Sequence, residues 1–347
     1  MRTLKELVRE NIYRLAPYSC ARDEFKGEAR ISLDANESPF NAPYNRYPDP
    51  LQKSLKREIA RVKGIESIDN IFLGVGSDEC IDACYRVFCE PRKDNVVAFA
   101  PTYGMYKVCA DVNDVEYRTV LLHDDYSLDV KAMLDATDDH TKVMWVCSPN
   151  NPTGNSFPIE DIRALYDGFD GILVVDEAYI DFSSLPSMTK LLKEMPRMIV
   201  MQTLSKAWAS ASVRLGMAFA SKEIIDIFNK VKYPYNINLL TQRYALECFS
   251  KSDEVKSQVE EILACRATLI DALKSLATIK TVYPTDANFV LVKVEDANAL
   301  YKYLCDNSII VRNRNSVELC AGCVRITVGT EEENKDLVNT IKQYGRE

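Results

Sequence analysis

Between about residues 71 and 220, short uninterrupted apolar runs alternate with amphipathic stretches. Val96-Val97-Ala98-Phe99-Ala100, Val143-Met144-Trp145-Val146-Cys147, Ile172-Leu173-Val174-Val175-Asp176, Met198-Ile199-Val200-Met201-Gln202 and Met217-Ala218-Phe219-Ala220 read as strands. Ser77 to Phe88 and Pro158 to Tyr166, lying between them, read as helices. Strands apolar on both faces and separated by helices predict a sheet covered on both sides, and therefore a mostly parallel one. In such sheets ligands collect at the carboxyl ends of the strands.

The pattern changes after Lys232-Tyr233-Pro234-Tyr235-Asn236. A long charged amphipathic helix is expected from about Thr241 to Ala277, followed by strand-like pieces at Asn288 to Val294, Ile309 to Val311 and Val324 to Val328. Helices around Ala297 to Cys305 and Glu331 to Tyr344 complete a smaller α+β unit. The Pro- and Asn-rich stretch Asn36 to Pro50 reads as loop.

Charge excludes one class of partner. Lys+Arg 43 against Asp+Glu 51 gives a net −8 over 347 residues, which argues against a broad basic face for nucleic acid. No apolar run approaches the roughly 20 residues of a membrane span. The charged start, Met1 to Glu10, lacks the apolar middle of a signal peptide. Eleven cysteines, an odd number, read as reduced thiols. A cytoplasmic protein is expected. Cys320 and Cys323 have CxxC spacing, but two histidines and no second such pair leave a zinc site incomplete, so no metal is expected. Cys80, Cys84 and Cys89 fall on a helical stretch as small core residues.

The chemistry sits at three predicted strand ends. Lys206 lies in Thr203-Leu204-Ser205-Lys206 with Arg214 eight residues on; Asp176 ends an apolar run; Asn151 follows a third. An isolated lysine is by default a solvated surface residue. Beside hydroxyls and an arginine it suits a Schiff-base cofactor with a phosphate tail, provided burial and neighbouring cations lower its pKa. Asp176 could cap a helix, or it could hold a protonated pyridine nitrogen so that the ring accepts electrons. Tyr179 and Asn151 could hydrogen-bond the ring's 3-oxygen. Gly74-Val75-Gly76-Ser77-Asp78-Glu79 enters a helix whose free amides favour an anion, and Thr203, Ser205 and Arg214 could complete a phosphate cup. Tyr103 could stack on the ring or serve as an ordinary core aromatic. Together these residues point to pyridoxal 5'-phosphate.

These strings, in this order, resemble the aspartate-aminotransferase superfamily of pyridoxal phosphate enzymes, from Leu33-Asp34-Ala35-Asn36-Glu37 to Val324-Arg325-Ile326-Thr327-Val328-Gly329. Leu15-Ala16-Pro17-Tyr18, Asn36-Glu37-Ser38-Pro39, Arg46-Tyr47-Pro48-Asp49, Gly76-Ser77-Asp78-Glu79, Ile310-Val311-Arg312 and the Arg325 string are similar to its histidinol-phosphate aminotransferase branch. The resemblance implies an α/β fold: a pyridoxal phosphate transferase-like large domain over 40–235, with 1–30 and 240–347 forming a small α+β domain. Residues 31–39 and 236–239 would connect them. The implied reaction is amino-group exchange between L-histidinol phosphate and 2-oxoglutarate, giving imidazole-acetol phosphate and L-glutamate, in histidine biosynthesis.

On the same resemblance Lys206 would carry the cofactor and shuttle a proton, with Asp176 and Tyr179 beside it. Gly76, Ser77, Asp78, Tyr103, Asn151, Thr203, Ser205 and Arg214 would hold the cofactor. Tyr47 would reach the cofactor phosphate of a neighbouring subunit, so a homodimer is implied. Arg325 and Arg312 would take the anionic end of the substrate, with Tyr18 and Asn36 nearby. Val75, Ser148 and Trp208 depart from the family's frequent residues at positions of packing. The same motifs serve two rivals, a threonine-phosphate decarboxylase and an aminotransferase for aromatic amino acids. A non-catalytic binding module would be expected to lack Lys206 or Asp176, and both are present.

Overall fold

Seven strands form the central sheet: β1 (Ile71–Val75), β2 (Asn95–Ala100), β3 (Glu116–Leu121), β4 (Thr141–Cys147), β5 (Ile172–Asp176), β6 (Met198–Thr203) and β7 (Leu215–Phe219). Their order is β1-β7-β6-β5-β4-β2-β3 in this computed structural model, which describes residues 2–18 and 30–344. The pairs from β6 through β5, β4 and β2 to β3 are parallel, while β7 runs antiparallel to both β6 and β1. Every residue of β2, β5, β6 and β7 is buried, as continuous apolar runs flanked by helices require. β3 is a polar edge strand with no buried residue, and so carries no apolar run to betray it.

A second sheet, β8 (Ile279–Val282), β9 (Phe289–Val294), β10 (Arg312–Asn313) and β11 (Cys323–Thr327), is antiparallel in the order β10-β11-β9-β8. The strand expected at Ile309 to Val311 is displaced to Arg312–Asn313. Val311 packs into the smaller core, whereas Ile310 is largely exposed. The single long helix expected from Thr241 to Ala277 is two, Leu239–Ser250 and Ser252–Lys274, which break at Lys251. Val259 of the second helix packs with the larger core, while Leu269 and Leu273 pack with the smaller one. That helix therefore spans both cores.

The N-terminal segment, expected with the smaller unit, packs on the larger one. Leu7 and Val8 are buried in the larger core, and the Arg9 amide donates to the Val87 carbonyl at 2.9 Å. The Arg2 guanidinium donates to the backbone carbonyls of Asp170 and Thr141. Of the stretch 1–30, residues 1 and 19–29 lie outside the described residues. Among the described residues no helix is long and apolar enough to cross a membrane.

Candidate active site

The carboxyl ends of β4, β5 and β6 face the start of the helix Gly76–Phe88 and the hairpin of β10 and β11 around a cavity of about 520 Å³. Ser77, Asp78, Tyr103, Asn151, Asp176, Tyr179, Thr203, Ser205, Lys206, Arg214, Arg312 and Arg325 line it. Twelve positions singled out in the sequence, from separate stretches of chain, thus meet at one site.

Asp176 is the deepest of them. Its side chain is buried at the end of β5, where it accepts from the Tyr106 hydroxyl at 2.7 Å and from the Ala178 amide at 3.1 Å. Burial pushes this carboxyl up to about 6, against the pull of those two donors toward the ionised form. Tyr106 is itself buried, stacked on Trp145 at 4.7 Å between ring centroids. Next along the chain, Glu177 accepts from Ser187, from the Met188 amide and from Gln202, and so pins the segment leaving β5.

At the opposite rim, Gly76 opens its helix at φ +72, and its amide donates to the Arg214 carbonyl at 2.9 Å. A Cβ on Gly76 would meet Arg214 Nη2 at 2.5 Å, so the close approach of guanidinium and helix start requires glycine there. Gly216 of β7 lies opposite both Gly74 and Thr203, and a Cβ on it would sit 2.2 Å from the Ser77 nitrogen. Arg214 donates to Ser205 Oγ at 3.4 Å and to Asp78 Oδ2 at 3.2 Å, and Asp78 also accepts from the Tyr103 hydroxyl. The Thr203 and Ser205 hydroxyls are 2.9 Å apart. Unpaired amides of a 13-residue helix, two hydroxyls and a guanidinium form a cup suited to a phosphate.

Lys206 reaches solvent through the cleft, with its ammonium 5.5 Å from the centroid of the Tyr179 ring. Desolvation, and then the nearby charge of Arg325, lower its pKa, which favours the neutral amine a nucleophile needs. Arg325 donates to Asn151 Oδ1 and stacks over Phe289, 5.0 Å from the ring centroid. Burial lowers Arg325 to about 10.

Three of the sequence candidates are elsewhere in the single chain. Tyr47 stacks on Tyr235 at 4.4 Å in a second cavity of about 530 Å³ that Asn36 also lines. Tyr18 is 76% exposed and lines neither. Two residues escaped the sequence reading. Tyr106, which does not line the cavity, donates to Asp176 and packs edge-on against Tyr103, and Arg314 lines the cavity beside Arg312. The two-residue spacing of Arg312 and Arg314 in an extended hairpin was the available signal for the second. Ser148 accepts from the Phe157 amide and Trp208 donates to Asp181, contacts that hold loops and touch no cavity atom. The described cysteines are unpaired, and no cluster of metal-ligating side chains occurs among the described residues.

The residues present fit pyridoxal 5'-phosphate. A lysine with a lowered pKa, a buried carboxylate at the far end and an anion cup at the near rim match its aldehyde, ring nitrogen and phosphate in turn.

The aminotransferase class I and II family model matches residues 9–341. The chain is 54% identical over 342 residues to a histidinol-phosphate aminotransferase of Parabacteroides distasonis, covering 99% of each. To the enzyme of that name from Bacteroides fragilis strain YCH46 it is 52% identical over 345 residues, 99% of this chain and 100% of the relative. Among solved structures, a histidinol-phosphate aminotransferase of Sinorhizobium meliloti in complex with pyridoxal-5'-phosphate superposes with a TM-score of 0.80 at 24% identity, covering 90% of this chain and 89% of that one.

Proposed function

This chain belongs to the aminotransferase class I and II family, and on that footing we propose that it exchanges an amino group between L-histidinol phosphate and 2-oxoglutarate, using pyridoxal 5'-phosphate. The observation that carries the reading is the meeting of Lys206, buried Asp176 and Arg214 around one cavity, in a chain 54% identical over its length to a histidinol-phosphate aminotransferase. When bound, the cofactor supplies an aldehyde that condenses with amines and a ring that draws electrons from the carbon being deprotonated.

The chain's own residues do the rest. Arg214, Ser205, Thr203 and the amides from Ser77 hold the phosphate. Ionised Asp176, kept in place by Tyr106 and Ala178, holds the ring nitrogen protonated. Tyr103 covers one face of the ring, while Tyr179 and Asn151 hold its oxygen. Lys206 would hold the cofactor through its aldehyde and, as a neutral amine, would take the proton from the substrate α-carbon and deliver it as general acid on the far side of the transferring nitrogen. Arg325 and Arg312 hold the anionic end of either substrate, as planar guanidinium forks suit both phosphate and carboxylate.

We extend the reading to the assembly. Tyr47, set on the rim of a separate cavity, serves the cofactor phosphate of a second copy, so the working unit is a homodimer, and Asn36, lining the same cavity, serves the substrate. Tyr18 lies against the substrate of that dimer's site. The unpaired state of the described cysteines supports a reducing, cytoplasmic setting. The larger unit over 40–235 would be the cofactor-binding domain of each subunit.

The test is the absorption spectrum of the purified yellow protein before and after L-histidinol phosphate. Loss of the resting band, restored by 2-oxoglutarate, is expected. Conversion only by aromatic amino acids would discard the histidine pathway, and carbon dioxide release from threonine phosphate would favour the lyase. A protein that takes up no pyridoxal phosphate would end the reading.

A further inference from the structure

Arg312, Arg314 and Arg325 form a cationic cluster larger than the site argued above uses. Residues two apart in an extended strand face the same side, so Arg312 and Arg314 share a face while Asn313, between them, turns away and donates to Asn298 Oδ1 at 2.7 Å. Arg325 is the direct cross-strand partner of Arg312 in β11, and all three arginines line the cavity. Like charges opposite one another in a ladder are destabilising. Among the described residues no carboxylate pairs with any of the three, and the Nε atoms of Arg314 and Arg325 are buried without a hydrogen-bond partner.

Arg314 is also held in position. Its amide donates to the Cys323 carbonyl at 2.9 Å, so it continues the ladder one step past β10. Its carbonyl accepts from the Val317 amide. The hairpin tip is fixed in turn by Asn315 Oδ1 accepting from the Gly322 amide at 2.8 Å, and by the Tyr126 hydroxyl donating to the Leu319 carbonyl at 3.1 Å. A cation with an unsatisfied buried donor, locked by its backbone beside two others, is a preorganised anion contact.

A carboxylate offers two oxygens and one charge. A phosphate monoester above its second pKa, about 6, offers three oxygens and nearly two charges. We propose that Arg314 completes, with Arg312 and Arg325, a three-guanidinium seat for a dianionic phosphate monoester, and that it is the residue by which this chain prefers a phosphorylated substrate end to a carboxylate one. The proposal deepens the function given above and rests on it for the identity of the natural substrate.

Steady-state kinetics of the holoenzyme decide it, with Arg314→Gln and the conservative Arg314→Lys beside the unaltered protein. Arg314→Gln is expected to raise KM for histidinol phosphate about 10- to 100-fold, the loss of one or two charged hydrogen bonds, with kcat little changed. KM for glutamate is expected to stay within about threefold, and Arg314→Lys to fall between. In the unaltered protein KM for histidinol phosphate should fall as pH rises through about 6, and in Arg314→Gln this fall should flatten. Parallel losses for both substrates would mark Arg314 as merely structural and overturn the proposal.

Inorganic phosphate and succinate, followed through the absorbance of the bound cofactor, separate this result from the functional reading. A protein that ignores histidinol phosphate, yet binds phosphate more tightly than succinate in an Arg314-dependent way, keeps the seat and loses the substrate assignment. Equal binding of the two anions, or phosphate binding unchanged in Arg314→Gln, sinks the seat even where histidinol phosphate is turned over.

Discussion

The Tyr106 hydroxyl donates to Asp176 Oδ2 at 2.7 Å, and both side chains are buried. The bond favours the ionised carboxylate, while burial opposes it and wins, leaving the group near 6. The fold itself therefore prefers Asp176 protonated. That contribution to stability is full below the ordinary carboxylate value of about 4 and is lost as pH rises through about 6. A protonated ring nitrogen beside it would reverse the preference. The gain in Tm on adding pyridoxal phosphate to the cofactor-free protein should thus be larger at pH 7.5 than at pH 5. Tyr106→Phe should push the carboxyl higher still and move the pH midpoint of cofactor uptake upward; an unmoved midpoint would show that the bond has no such effect.

Lys206→Ala should leave a folded protein that still takes up pyridoxal phosphate weakly. Its kcat should drop at least about 10²- to 10⁴-fold, the loss expected when a positioned acid–base group is removed. Appreciable steady-state transamination by this variant would refute the assigned role.

Gly216→Ala and Gly76→Ala should differ in kind. At Gly216 the added methyl meets backbone, the Ser77 nitrogen at 2.2 Å, so β7 must shift from the helix start; at Gly76 it meets the end of the Arg214 side chain at 2.5 Å and a left-handed φ of +72. Thermal melts should therefore show the larger fall in Tm for Gly216→Ala. Gly76→Ala should lose cofactor affinity with a fall of about 1–3 kcal/mol in stability from the strained backbone. Equal melting temperatures for the two would contradict the clash described at β7.

Tyr47→Ala subunits mixed with Lys206→Ala subunits test the shared site. If Tyr47 serves the neighbouring copy, each hybrid dimer contains one site with both residues intact, and activity should reappear on mixing and refolding. A mixture as inactive as its parents, with hybrids demonstrated by mass, would place Tyr47 outside the reaction.

Much of the site was legible because its chemistry is local in sequence. Lys206 and Arg214 lie in the one loop that joins β6 to β7, Asp176 ends an apolar run, and Asn151 follows another, so strand-end logic alone gathers them. Tyr106 was not legible, since its task depends on a partner 70 residues away that only the fold supplies. Arg314 required the register of β10 against β11, which the apolar triplet Ile309 to Val311 disguised. β3 hid because an edge strand with a wet face has no apolar signature. Leu7 and Val8, two apolar residues in a charged stretch, do not by their sequence say which core they enter. The paired helices 239–250 and 252–274 read as one because the break at Lys251 lacks glycine or proline.

β1 touches the central sheet only through β7, since the order begins β1-β7-β6. As the chain emerges from the ribosome, Ile71–Val75 must therefore wait for Leu215–Phe219 before it has a neighbour, and until then β6 also shows a bare edge. Both edges are apolar, and a bare apolar edge is a template for pairing with another nascent chain. When β7 slides between them it closes both edges at once and brings Gly76 against Arg214 in the same movement. Nascent chains stalled before Leu215 should then be held by chaperones more than those stalled after Phe219, in which both edges are paired.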